Sequence, residues 1–192
     1  MAFGLAAALL AASLAQGSPA DCTVDTPAML KLAPAQFNQD LQGGWRPLGN
    51  REGCAGAAAD LLAAYRAAHW GTLTPQQLHI NYWHEGQAPA MAGQAKAAIP
   101  LLMDGVDPDG EDGFYEYGLG TVAFLNHDLA ALKAARARLA AMAQPAWFAK
   151  AAAHAKAKYG SVMTWPLNLN VLDGLIRCYG RPYKEAYGCP PG

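Results

Sequence analysis

His84 and Glu85 stand side by side in the stretch Asn81-Tyr82-Trp83-His84-Glu85-Gly86-Gln87. A histidine beside a carboxylate can move protons or hold a metal. The spacing argues against shared ligation. Adjacent residues on a helix diverge by about 100°, and His79 and His84 are five residues apart. The zinc-protease pattern needs two histidines four apart, with glutamate after the first. The expectation here is a helix with no metal site, in which His84 is solvated or faces a groove.

The other candidate chemistry is sparse. In "GVDPDGEDGFYE", Asp107, Asp109, Gly110 and Glu116 fall at the third, fifth, sixth and twelfth places of a calcium loop. Gly105 occupies the first place, where a carboxylate is needed. The stretch therefore reads as an acidic turn. No Gly-x-Ser-x-Gly elbow supplies a nucleophile. His69, His127 and His154 are scattered. Glu85 and Glu116 are the only carboxylates flanked by aromatics, and the sequence does not set their distance. No cofactor is expected.

The chain has 192 residues, which suits one domain. Hydrophobic residues make up 53% and the net charge is −1. There is no surplus of basic charge to neutralise phosphates, so nucleic acid is not an expected partner. The N-terminal run from Ala2 to Ala15 is apolar or small and too short to span a bilayer. It reads as a signal peptide over residues 1–17, cleaved near 15–20, although no Lys or Arg precedes it. Residues 18–192 then form the mature domain, periplasmic or secreted, with no stable membrane anchor. Its four cysteines, Cys22, Cys54, Cys178 and Cys189, allow three pairings. Sequence neighbours favour Cys22–Cys54 and Cys178–Cys189, which fits an oxidising compartment.

The elements that position these residues are helical. Phe37, Leu41 and Trp45 recur every four residues and predict one face of a short helix. Ala58, Leu61, Leu62, Tyr65 and Ala68 mark a helix that ends before Gly71. Thr74, Pro75 and Gln77 form a capping-box start for the helix that carries His84. Pro89 predicts a kink or break near residues 85–89, and Gly93 ends the element. Further helices follow, with a hinge at Asn126-His127 and a start at Pro145. No stretch alternates with period two. The fold class is all-α: antiparallel helical hairpins stacked as a short array or a bundle, with disulfide-tied termini.

Three spacings repeat at 34 residues: Gly86 to Gly120, Gly93 to His127 and Ala98 to Leu132. With the helix–turn–helix layout, residues 79–112 and 113–146 resemble two tetratricopeptide repeats. Tyr82 stands where that family prefers tryptophan, and Pro108 and Pro145 fall near its terminal proline. Pro89, Glu116 and Leu132 depart from the pattern, and Trp147 to Cys178 reads as a degenerate third copy. An ordinary helical bundle is the alternative.

The resemblance implies a ligand groove lined by the first helix of each repeat. Carried over by position, it selects Ile80, Trp83, His84, Gln87 and Met91, then Phe114, Tyr117, Thr121 and Phe124. An aromatic groove with few charges suits an apolar or amphipathic peptide. The lysine and asparagine pattern that grips an acidic C-terminus is missing. The implied protein is an exported helical scaffold that binds a protein or peptide, without catalysis. The alternatives are an exported enzyme or inhibitor using His84, Glu85 and Glu116, or a structural bundle with Trp83 and Tyr117 buried.

Overall fold

The computed structural model describes residues 21–110 and 112–192; the signal-peptide reading lies outside them. Among the described residues the fold is all helical. Short elements come first: α1 (Thr26–Met29), a π-helical turn (Ala35–Gln39) and α2 (Arg46–Gly49). The main body follows as α3 (Ala55–His69), α4 (Pro75–Met91), α5 (Ala95–Asp104), α6 (Phe114–Leu125) and α7 (Leu129–Ala140). The chain ends with α8 (Ala146–Tyr159), α9 (Leu169–Arg177) and α10 (Tyr183–Tyr187). No described helix is long and apolar enough to cross a membrane.

Local chemistry explains where α4 starts and where α4 and α6 stop. The Thr74 hydroxyl accepts from the Gln77 N–H, and the Gln77 side chain accepts from the Thr74 N–H, so the capping box forms in full. At the far end of α4 the Gln94 N–H donates to the Pro89 carbonyl and the Gly93 N–H to that of Ala90. At the end of α6 the Asp128 N–H donates to Ala123 and the His127 N–H to Phe124. Both are Schellman closures, with Gly93 at φ +75° and His127 at φ +57° in the left-handed position. They turn the chain into two hairpins, α4–α5 and α6–α7, which pack most extensively together with α3 against α4.

Three expectations need correction. Phe37, Leu41 and Trp45 do not share one helix. The chain turns extended at Asp40 and left-handed at Gly44, which leaves Leu41 60% exposed while Phe37 and Trp45 are buried. Pro89 does not break α4. The helix runs on past it to Met91, at the loss of the one bond that the residue 89 nitrogen would have donated to the Glu85 carbonyl. Residues 147–178 do not form a third tight hairpin. Residues 160–168 separate α8 from α9, and α9 packs on α6, α7 and α10.

Helix α4 is the axis of the molecule and is buried on nearly every side. One face carries Trp83 and Ala90 into a core with Leu102, Tyr117, Phe124, Leu132, Leu172 and Leu175. The opposite side offers Ala88 to a core of Phe37, Leu48, Leu62 and Tyr65. Phe37 and Tyr65 stack there at 3.7 Å, and the Tyr65 hydroxyl donates to the Leu32 carbonyl at 2.7 Å. Glycine lets α5 approach α4. A Cβ at Gly86 would lie 2.8 Å from the Leu102 nitrogen, and one at Gly105 would lie 2.6 Å from that of Trp83.

The disulfides are Cys22–Cys54 and Cys178–Cys189, the pairing of sequence neighbours. Each ties a terminal segment to the helical body. No free cysteine remains among the described residues. Two disulfides in a chain of this kind suit an oxidising environment.

Candidate functional site

A helix packed between two cores must satisfy the polar residues it buries. In α4 these are Asn81, His84 and Glu85, all buried. His84 and Glu85 point apart, as neighbours on a helix must. Glu85 faces α3, where the Arg66 guanidinium donates to both its oxygens, at 2.8 and 2.9 Å. His84 faces the N-terminal segment instead.

There the hydrogen bonds run in one direction. Arg46 can only donate, so its Nη2, 3.4 Å from His84 Nε2, fixes that nitrogen as the acceptor. His84 Nδ1–H then donates to Asn38 Oδ1 at 3.1 Å. Asn38 Nδ2 donates to Asn81 Oδ1 at 3.3 Å, and Asn81 Nδ2 donates to the Leu62 carbonyl at 3.0 Å. Each link sets the role of the next. Burial pushes the His84 pKa down to about 3, and the positive charge of Arg46 adds to the effect. His84 is therefore neutral near pH 7 and held in one tautomer. It is buried rather than solvated, and its environment makes it a poor general base at that pH.

The network ends at an open cleft of about 1970 Å³, walled by α2, α4, α10 and the α5–α6 connection. Ile80, Trp83, His84, Gln87, Met91, Phe114 and Tyr117 line it. Thr121 and Phe124 do not line it. Thr121 is wholly buried, and Phe124 packs edge-on to Tyr179 and against Tyr183. Trp83, Phe114 and Tyr117 form one aromatic cluster, with centroids 4.7 to 5.6 Å apart. Trp83 and Tyr117 lie side by side but are only 4% and 2% exposed, so they underlie the cleft as packed aromatics.

The acid–base set of His84, Glu85 and Glu116 is not gathered into one site. His84 belongs to Asn38 and Arg46, Glu85 to Arg66, and Glu116 accepts from Arg138 at 2.9 Å. The acidic turn holds itself together. Asp107 accepts from the Asp109 N–H, and Asp112 from the Phe114 N–H.

Several cleft residues had no sequence signal. Trp45 was expected only as part of an apolar helix face, Arg46 starts the short α2, and Lys184 and Tyr187 lie in the short terminal α10. One cue was present: Asn81 and His84 sit in the middle of a long helical segment, where a buried amide demands a partner. Behind the wall, Tyr117, Tyr183 and Thr121 come together. Burial raises the Tyr117 and Tyr183 pKa values; Tyr187 raises both further and Tyr183 also raises that of Tyr117, whereas Gln87, Tyr117 and Thr121 partly oppose the rise at Tyr183. The buried Tyr183 and Thr121 hydroxyls make no hydrogen bond of proper geometry with described residues.

Compared with known protein families, characterised proteins and solved structures, the chain matches none.

Proposed function

We propose that this protein is an exported helical scaffold whose cleft binds a peptide segment of another protein, without chemistry of its own. The observation that carries this reading is the cleft itself. It is open, and it rests on the Trp83–Phe114–Tyr117 cluster. Its rim offers amides at Gln39, Asn50, Gln76, Gln87 and Gln94. Trp83 and Tyr117 are buried beneath the cleft, so it is the half-buried Ile80, Met91 and Phe114 on its wall that reward apolar side chains, while neutral amides can pair with a peptide backbone. The two hairpins with 34-residue spacing support the likeness to tetratricopeptide repeats, in which such surfaces bind extended or helical segments. The disulfides support export to the periplasm or beyond.

The test is selection from displayed random dodecapeptides by the oxidised protein, repeated with Ile80→Trp and Met91→Trp. Both positions are half-buried on the cleft wall. Peptides captured by the wild type and lost by both folded variants support the reading. Capture that both variants retain moves the interface elsewhere. No capture removes the peptide reading.

A further inference from the structure

Arg46 is half-buried, yet no carboxylate of the described residues lies within ion-pairing distance of it. Its partners are the carbonyls of Asn38 and Asp40 and the neutral ring of His84. The Asp40 carboxylate accepts from the Gln42 N–H instead. A guanidinium withdrawn from water with only neutral partners carries an uncompensated charge. Desolvation accordingly lowers its pKa, and the neighbouring Asp40 and Tyr187 only partly oppose this.

A second observation points the same way. Trp45 is 9% exposed, lines the same cleft, and its buried indole N–H has no acceptor among the described residues. Its ring lies 5.0 Å from that of His84 and 5.1 Å from the Arg46 guanidinium. Helix α10 brings Lys184 and the Tyr187 phenol to the cleft wall, and α10 packs on α4. A guanidinium, an indole N–H, an ammonium and a phenol are all donors. The carboxylates on the lining, Glu52, Asp107 and Asp112, belong to the α2–α3 and α5–α6 connections.

We infer that the Arg46 corner of the cleft is a carboxylate subsite, filled by an acidic side chain of the bound peptide. This deepens the peptide-binding reading and rests on it. A carboxylate fits because it accepts from several donors at once and supplies the missing counter-charge. The subsite lies outside the two hairpins with 34-residue spacing, on α2 and α10.

The experiment follows the arginine Nε–H and tryptophan indole N–H signals of the oxidised protein by NMR. The probes are N-acetylglutamate N-methylamide, its glutamine counterpart, N-acetylglycine and sodium sulfate. The expected result is a saturable shift of the Trp45 and Arg46 signals with the glutamate probe and none with the glutamine probe. Tyr187→Phe and Lys184→Gln, which leave the Arg46 contacts intact, should each weaken the glutamate response by about tenfold. Arg46→Gln should abolish the Trp45 response if that variant folds. An equal response to glutamine, or none to glutamate, overturns the subsite. Tighter saturation by N-acetylglycine overturns the side-chain source in favour of a chain terminus. Tighter saturation by sulfate overturns the carboxylate assignment. Selected peptides without acidic residues, together with a silent glutamate probe, would remove this inference and leave the peptide reading standing. A glutamate response with no selectable peptide would remove the peptide reading instead.

Discussion

The Arg66 guanidinium meets the Glu85 carboxylate through two bonds, Nε to Oε2 at 2.8 Å and Nη2 to Oε1 at 2.9 Å, across the α3–α4 contact. The Tyr82 ring covers the guanidinium at 4.4 Å. The Glu85 side chain is 7% exposed and that of Arg66 21%, so water does little for the carboxylate. Removing one partner leaves a charge buried. Arg66→Ala should therefore cost about 3 kcal/mol in urea unfolding. The double change Arg66→Met/Glu85→Met should cost clearly less than Arg66→Ala, because no unpaired charge remains. Equal losses would show that packing of the Arg66 stem, rather than its charge, holds the contact.

His84 makes stability depend on pH in the acid range. Its folded pKa is about 3, against 6.5 for a free histidine. Between those values the unfolded chain binds a proton that the folded chain refuses. Stability therefore rises with pH through this window and is lost as pH falls from 6.5 towards 3, by about 1.4 kcal/mol per unit for this group. Carboxylates add their own acid dependence, so the comparison is with His84→Gln. The stability advantage of the wild type over that variant should shrink steadily from pH 6.5 to pH 4. Parallel curves would mean that His84 is not held neutral by its burial beside Arg46.

The two disulfides differ in what they constrain. Cys22–Cys54 spans 32 residues and Cys178–Cys189 spans 11. Treated as loop closure, the first should contribute about 3.7 kcal/mol and the second about 2.8 kcal/mol. Replacing Cys22 and Cys54 by alanine should lower Tm by about 10 °C, and the C-terminal pair by somewhat less. Calorimetry on each pair variant checks the order. The larger effect also has a local reason, since Cys54 belongs to the core beneath Phe37 and Tyr65.

The two Schellman turns offer a matched pair. Gly93 and His127 occupy the same left-handed position, but only glycine does so without a Cβ penalty. His127 is exposed. His127→Gly should raise stability by about 0.5 kcal/mol or more, whereas Gly93→Ala should lower it by about 1 kcal/mol although space is open there. Gly105→Ala should cost more, about 2 kcal/mol, because its Cβ would press on the Trp83 backbone. Thermal melts of the three variants test the ranking.

Much of the local structure was legible in the sequence because it is set by neighbours in the chain. Thr74, Pro75 and Gln77 start α4 through groups three residues apart, and Gly93 ends it through its own φ. The helical periodicity and the cysteine spacing likewise carry their signal within short windows. These determine an all-helical fold with turns near residues 93 and 127 and disulfides at both ends. Leu41 and Pro89 show the limits of such windows. The first pattern was cancelled by a bend at Asp40 and Gly44, and the second cost α4 one backbone bond without ending it.

Only the tertiary structure decided what His84 and Glu85 do. Their chain neighbours are aromatic and apolar and say nothing of Asn38, Arg46 or Arg66, which lie 19 to 46 residues away. Packing of α4 between two cores turned a histidine that could have been solvated into a buried neutral link. It also sank Trp83 and Tyr117 beneath the cleft. It brought Trp45 and Arg46 from one end of the chain and Lys184 and Tyr187 from the other onto the same wall. A sequence displays which groups can donate, accept or carry charge. Burial decides which of them must find a partner, because only away from water is an unpaired group costly.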